Sequence, residues 1–187
     1  MKNICLAAAV LLTLYACKKD HVENNTNSEA ATEDAKNIPD ATASLPAAQL
    51  RQISAQEAST ALQQTNDTLY FTNFFATWCG PCMREIPHFK NKMAAMKGQP
   101  VKFTFVSLDD PSDWDSAVKN FAEENGLVAN TVLLDGGQLP PDWFTNNFKN
   151  WKGEAIPFTF MKKGDKTDEY MGAMTPELLD SKIASFR

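Results

Sequence analysis

Asn73-Phe74-Phe75-Ala76-Thr77-Trp78-Cys79-Gly80-Pro81-Cys82-Met83-Arg84-Glu85-Ile86-Pro87 is the stretch from which the rest of the chain can be read. It starts inside an apolar, strand-like run, Leu69 to Phe75. It passes into a helical pattern in which Ile86, Phe89, Met93 and Met96 recur at steps of three and four. Two cysteines therefore stand where a strand ends and a helix begins. Residues three apart at the start of a helix share a face and lie near enough for a disulfide. Cys79 is expected at the helix N-terminus, where backbone N–H groups and the helix dipole stabilise a thiolate. Cys82, one turn in, is expected to be better shielded. The pair is asymmetric, with one sulfur suited to attack and the other to resolve.

Outward from this centre, the pattern reads as α/β. Ser54 with Glu57 fits a capping box, opening a helix whose apolar face is Ala58, Ala61 and Leu62. Asn66-Asp67 is a turn before the strand Leu69 to Phe75, whose apolar character suits burial on both faces. The helix after the cysteines is expected from Gly80 to Lys97, with Pro81 tolerated in its first turn, Pro87 kinking it and Gly98 stopping it. Val101 to Leu108 is a second strand, with Phe103, Phe105 and Val106 as core candidates. Ser112 is expected to cap a helix with Trp114, Ala117, Val118, Phe121 and Ala122 on its buried face and Gly126 at its end. Thr131 to Leu134 is a short strand, and this alternation favours parallel pairing with helices on both faces. Phe158 to Met161, a turn at Gly164-Asp165 and Thr167 to Met171 form a β-hairpin. Thr175 and Pro176 open a last helix that buries Leu178, Leu179, Ile183 and Phe186. Between residues 136 and 154, Trp143, Phe144, Phe148 and Trp151 are read as a segment packed on the sheet, in preference to a rim that grips a partner.

The chain has 187 residues and a formal net charge of −5, which argues against a nucleic-acid partner. No run of about eighteen apolar residues offers a permanent membrane span. Lys2 and the apolar run Ile4 to Leu14 read as a signal peptide. It closes in Leu14-Tyr15-Ala16-Cys17, which resembles a lipoprotein processing box with Cys17 as the acylated residue. From Lys18 to about Ala43 the chain is polar and aperiodic, a disordered tether. The expected organisation is a signal peptide over 1–16, a lipidated N-terminus and linker over 17–45, and one folded domain over 46–187. Of the four cysteines, Cys5 leaves with the signal peptide and Cys17 carries lipid. Cys79 and Cys82 then remain as the free thiols.

The stretch around the cysteines resembles the thioredoxin superfamily, in particular its TlpA/ResA-like branch of extracytoplasmic bacterial thiol-disulfide oxidoreductases. Ala155-Ile156-Pro157-Phe158-Thr159-Phe160 matches the position of that family's cis-proline loop and following strand. The resemblance implies a thioredoxin-like fold: a central mixed β-sheet flanked by helices on both faces. It implies Cys79 as nucleophile and Cys82 as the resolving thiol of a redox disulfide. Trp78, Gly80, Pro81, Ile156 and Pro157 would border the substrate. Asn73 stands where thioredoxins proper carry a buried Asp, and Glu85 matches the acidic residue of the branch, a candidate for managing the thiol pKa values. A solvated Glu85 paired with Arg84 or a Lys is the competing reading. The implied partners are a disulfide-containing protein client, a membrane thiol reductase as electron donor, and the membrane itself through the lipid. No cofactor and no metal are expected, and the implied location is a bacterial membrane surface facing the periplasm or the cell exterior.

Other uses of the pair fit less well. A structural zinc site needs further Cys or His ligands, and only His21 and His88 are available beside the N-terminal cysteines. Haem attachment needs His after the second Cys, where Met83 stands. A peroxiredoxin-like site carries Thr three residues before the reactive Cys, where Ala76 stands. A purely structural disulfide would close a loop too short to constrain the unfolded chain much. A copper-binding metallochaperone using the two thiolates, with His88 as an extra ligand, and a non-catalytic peptide-binding module of the same fold are the alternatives from other functional classes. His88 itself is otherwise expected to be a helix residue without chemistry.

Overall fold

The computed structural model describes residues 49–187. The expected signal peptide, Cys17, the linker and the first three residues of the expected domain lie outside the described residues. In chain order the elements are Arg51–Gln52 (β1), Ala55–Leu62 (α1), Leu69–Phe75 (β2), Gly80–Ala95 (α2), Val101–Ser107 (β3), Lys119–Asn125 (α3), Thr131–Leu133 (β4), Trp143–Asn147 (α4), Phe158–Lys163 (β5), Lys166–Met171 (β6) and Pro176–Ser185 (α5).

The six strands form one sheet in the order β1-β4-β3-β2-β5-β6. The pairs β1–β4, β4–β3 and β3–β2 are parallel, and β2–β5 and β5–β6 are antiparallel, so the sheet is mixed. β2 lies inside it, in register with β3 from Leu69↔Val101 to Phe75↔Ser107. Its alternation splits the core. Phe71 and Phe75 face α2, α3 and α5 in one cluster with Phe89, Phe103, Phe105, Phe121 and Leu179. Phe74 faces α1 and α4 in the other, with Val106, Trp143, Phe148, Trp151, Phe158 and Phe160.

The aromatic segment belongs to this second cluster. Trp143, Phe148 and Trp151 are buried, and the Trp151 ring stacks on Phe158 at 4.2 Å between centroids. Their indole N–H groups find carbonyl partners, Trp143 on Ala55 at 3.0 Å and Trp151 on Ala155 at 2.8 Å, as buried indoles require. Gly153 takes φ +84°, and a Cβ there would stand 2.6 Å from the Phe144 ring. The segment is sheet packing, and a partner-gripping rim is not what these side chains form.

Local signals largely act as expected. The Ser54/Glu57 capping box is complete, and Thr175 Oγ1 caps α5 through Leu178 N–H. Gly126 ends α3 in the left-handed region. Three details differ. The cap after β3 is Asp110, whose side chain accepts from Ser112 N–H; a 3-10 turn over Pro111–Asp113 and a π-helical turn over Trp114–Val118 precede α3. Pro111 sets the first turn at that earlier point, and the widened turn shifts the register so that Ala117 is exposed while Val118, Phe121 and Ala122 stay buried. Ala61 is exposed as well, which leaves α1 the narrower face of Ala58 and Leu62. β1 has no apolar pattern of its own. Its two exposed residues pair with Val132 and Leu133, so a tertiary contact makes this strand.

Candidate active site

β2 ends at Phe75, and the chain turns through Ala76–Trp78 into α2, with Cys79 N–H donating to Ala76 O at 3.1 Å. Cys79 is the N-cap of α2, and its Sγ accepts the Cys82 N–H at 3.2 Å. A sulfur is thus the partner of one of the free N–H groups of the first turn, the place where negative charge is best tolerated. Cys79 and Cys82 are joined in a disulfide, with Cα atoms 5.2 Å apart. Cys82 has no exposure and Cys79 has 5%, so Cys79 is the sulfur that solvent or a substrate can reach. Gly80 and Pro81 are exposed in the first turn, and α2 continues through Pro87 to Ala95.

The other side of the site comes from the start of β5. The Ile156–Pro157 peptide is cis, and Ile156 O lies 3.8 Å from Cys79 Sγ, 77 residues away in sequence. Pro157 O accepts from Gly172 N–H at 2.8 Å, and Phe158 pairs with Met171. Trp78 is 70% exposed and Met171 42%; these are the exposed large hydrophobic side chains among the described residues, Trp78 next to Cys79 in the chain and Met171 paired with Phe158 at the start of β5. Met171 has no signal of its own in the sequence, although its place opposite Phe158 follows once the hairpin register is counted. Trp78, Gly80, Pro81, Ile156, Pro157, Cys79 and Cys82 are therefore brought together. Cys17 lies outside the described residues.

Glu85 points inward. It is fully buried, its Oε1 accepts from Asn73 Nδ2 at 2.8 Å, and its Oε2 accepts from Met174 N–H at 2.8 Å. The solvated alternative is thereby excluded. Loss of water raises its pKa from 4.5 to about 7, against the opposing pull of the Met174 N–H, the Asn73 amide and the His88 imidazole. Asn73 Nδ2 also reaches Thr159 Oγ1 at 3.0 Å, while Asn73 Oδ1 is buried without a partner. If the amide turns over, that oxygen can accept a hydrogen bond from the O–H of a neutral Glu85, so Asn73 can partner both protonation states. His88 acts structurally, since its Nδ1 lies 2.9 Å from Met174 O, on the residue whose N–H holds Glu85. Among the described residues no group of three or more His, Cys, Asp or Glu side chains is placed to hold a metal ion.

Residues 36–166 match the family model described as AhpC/TSA family. The chain is 29% identical over 119 residues to thiol-disulfide oxidoreductase ResA of Geobacillus kaustophilus, a match covering 63% of this chain and 62% of that protein. It is 29% identical over 109 residues to sporulation thiol-disulfide oxidoreductase A of Bacillus subtilis, covering 57% and 61%. The chain thus spans about three fifths of the length of these curated relatives. A thiol:disulfide interchange protein of the thioredoxin family from Chlorobium tepidum superposes with a TM-score of 0.54 at 21% identity, over 68% of this chain and 83% of that one. The fold is thioredoxin-like.

The Glu85 environment has a consequence for stability. Its pKa is higher folded than unfolded, so its contribution is most favourable below about pH 4.5 and is lost as the pH rises through about 7. Relative to Glu85→Gln, the oxidised wild-type protein should lose roughly 2–3 kcal/mol of unfolding free energy between pH 5 and 8. Urea unfolding of both proteins across that range measures the difference. Parallel curves would mean that Glu85 is charged throughout.

Proposed function

We propose that this chain, which belongs to the AhpC/TSA family, is a thiol-disulfide oxidoreductase that reduces protein disulfides outside the cytoplasm through Cys79 and Cys82. The observation that carries the reading is the disulfide itself: its more accessible sulfur caps α2 and lies 3.8 Å from the Ile156 carbonyl. A single-cysteine peroxidatic reading has less support, because buried Ala76 occupies the position where a Thr would be wanted.

In the reducing direction the Cys79 thiolate attacks one sulfur of a client disulfide. The client S–S bond breaks, a Cys79–client mixed disulfide forms, and the other client sulfur leaves as a thiolate and takes a proton. The Cys82 thiolate then attacks Cys79 Sγ, restoring the internal disulfide and releasing the second client thiol. Two electrons pass from the dithiol to the client, and a thiol reductant must return them. The Ile156 backbone is suited to pair with an extended client segment as an added strand, and the exposed Trp78 beside Cys79 offers apolar contact. Gly80 and Pro81 keep the first turn short of side chains around the sulfurs. Glu85 serves as the proton-managing group near them: as a carboxylate it opposes a second negative charge on the cysteines.

The sequence Leu14-Tyr15-Ala16-Cys17 supports a lipid anchor at Cys17, with the segment to residue 45 as tether and 46–187 as the working domain. A membrane thiol reductase is the donor that such a location calls for. Among the described residues no helix is long and apolar enough to cross a membrane.

Cys79→Ser should abolish reduction of a small disulfide protein, and Cys82→Ser should accumulate mixed disulfides with clients in cells; trapping by Cys79→Ser instead would reverse the two roles. Glu85→Gln should lower the pH midpoint of Cys79 alkylation and make the protein more oxidising, since a better-stabilised thiolate favours the reduced form. An unchanged alkylation profile would remove Glu85 from the chemistry. Labelled fatty acid should enter the wild-type chain and not Cys17→Ala; label in neither would make the anchor reading wrong.

A further inference from the structure

Behind the turn that carries Cys79 lies a second buried carboxylate that the thiol chemistry does not use. Asp109 is 1% exposed. Its Oδ1 accepts from Thr77 N–H at 3.0 Å and from the Thr77 hydroxyl at 2.5 Å. Its Oδ2 accepts from the same N–H at 3.1 Å and from the Ser107 hydroxyl at 2.8 Å. Every donor to this carboxylate comes from Thr77, two residues before Cys79, or from Ser107, the last residue of β3. No cation pairs with it among the described residues.

Position in the sheet explains the arrangement. The parallel ladder of β2 and β3 ends at Phe75↔Ser107, and Leu108 N–H still reaches Phe75 O at 2.9 Å. Beyond that the two backbones diverge, one toward α2 and one toward the turn at Asp110. The Asp109 carboxylate takes over where the backbone ladder stops, supplying the acceptor for Thr77 N–H. Asp109 is itself held from two sides: its N–H donates to Ser107 Oγ at 3.2 Å, and its carbonyl accepts from Trp114 Nε1 at 3.1 Å, across the 3-10 turn. An amide replaces it only in part, because Asn has one accepting oxygen and would set an N–H donor against the Thr77 N–H or the Ser107 hydroxyl that now donates there. A buried carboxylate costs several kcal/mol unless its lone pairs are filled, and here each oxygen accepts two hydrogen bonds.

We propose that Asp109 is a positioning residue for Cys79: by clamping Thr77 to the end of β3, it holds the turn that keeps the Cys79 sulfur on the first N–H groups of α2. The consequence is local and directional. When the clamp is lost the turn from Ala76 to Cys79 loosens, the sulfur leaves the Cys82 N–H, and the thiolate loses a hydrogen bond to its charged form. Removal of the Asp109 charge by itself would act the other way and favour the thiolate, so the sign of the change separates positioning from simple electrostatics. This inference rests on the proposed role of Cys79 as nucleophile, and its test does not depend on turnover.

The test is the rate of Cys79 alkylation against pH in the reduced full-length chain, for wild type, Asp109→Asn, Thr77→Val, Thr77→Ser and the Asp109→Asn/Thr77→Val double variant. The expected result is an upward shift of the midpoint in Asp109→Asn and in Thr77→Val. A shift of about one unit corresponds to roughly tenfold slower alkylation below the midpoint. Thr77→Ser, which keeps the hydroxyl, should restore the wild-type profile. The double variant should shift no further than Asp109→Asn alone, because both changes break one contact. A downward shift in Asp109→Asn, or unchanged midpoints with only a lower melting temperature, would overturn the proposal. Should Asp109→Asn fail to fold, the contrast between Thr77→Val and Thr77→Ser decides it in the same terms. Failure of wild-type turnover on disulfide substrates would count against the proposed function and leave this readout untouched.

Discussion

The opposite polarity of two neighbouring strands, β2 and β5, is the constraint on which the site depends. β2 is hydrogen-bonded to parallel β3 on one side and to antiparallel β5 on the other, with Phe74↔Phe158 nearest the site. Because β5 runs against β2, the chain enters β5 at the edge where β2 ends. The turn carrying Cys79 and the peptide carrying Ile156 and Pro157 therefore meet, although neither is near the other in sequence. Two phenylalanine-rich faces hold the strands in that register. A one-residue slip would send Phe71 and Phe75 to the face built for Phe74, at the cost of both clusters.

Around this junction the molecule buries two carboxylates and treats them differently. Glu85 has lost its water, which raises its pKa to about 7 against the pull of the Met174 N–H and the Asn73 amide. Asp109 accepts from Thr77, on the turn before Cys79, and from Ser107, at the end of β3. In the roles proposed above, one carboxylate serves proton exchange and the other geometry.

Much of this is legible in the sequence, for identifiable reasons. The strand-to-helix switch at Trp78-Cys79, the Ser54/Glu57 box, Gly126 and the Thr175-Pro176 pair are local signals, and local physics acts on them directly. Pro157 can be placed only through resemblance, since no pattern near it points to a cysteine far upstream. β1 is invisible, because two exposed residues owe their conformation to β4. The Asp110 cap is obscured because Ser112 gives the same type of signal two residues later, and Pro111 decides between them. Glu85 could face water or core on spacing alone; Asn73 and Met174 decide that, and neither contact has a sequence signature. Asp109 reads as one more acidic residue in Asp109-Asp110 until its partners across the sheet are seen.

The outer strands carry a further meaning. A sheet margin with free N–H and C=O groups recruits any extended chain that meets it. Here one margin is β1, only two residues long, and the other is β6, Lys-Thr-Asp-Glu-Tyr-Met, with charged residues along it and Glu169 already engaged by the N–H groups of Lys149 and Asn150. Neither margin is a good template for indiscriminate strand addition. For the proposed function this matters: a protein acting on partly unfolded, disulfide-bearing chains would be protected from capture along its flanks, and recognition would fall to the short Ile156 backbone, 3.8 Å from the Cys79 sulfur.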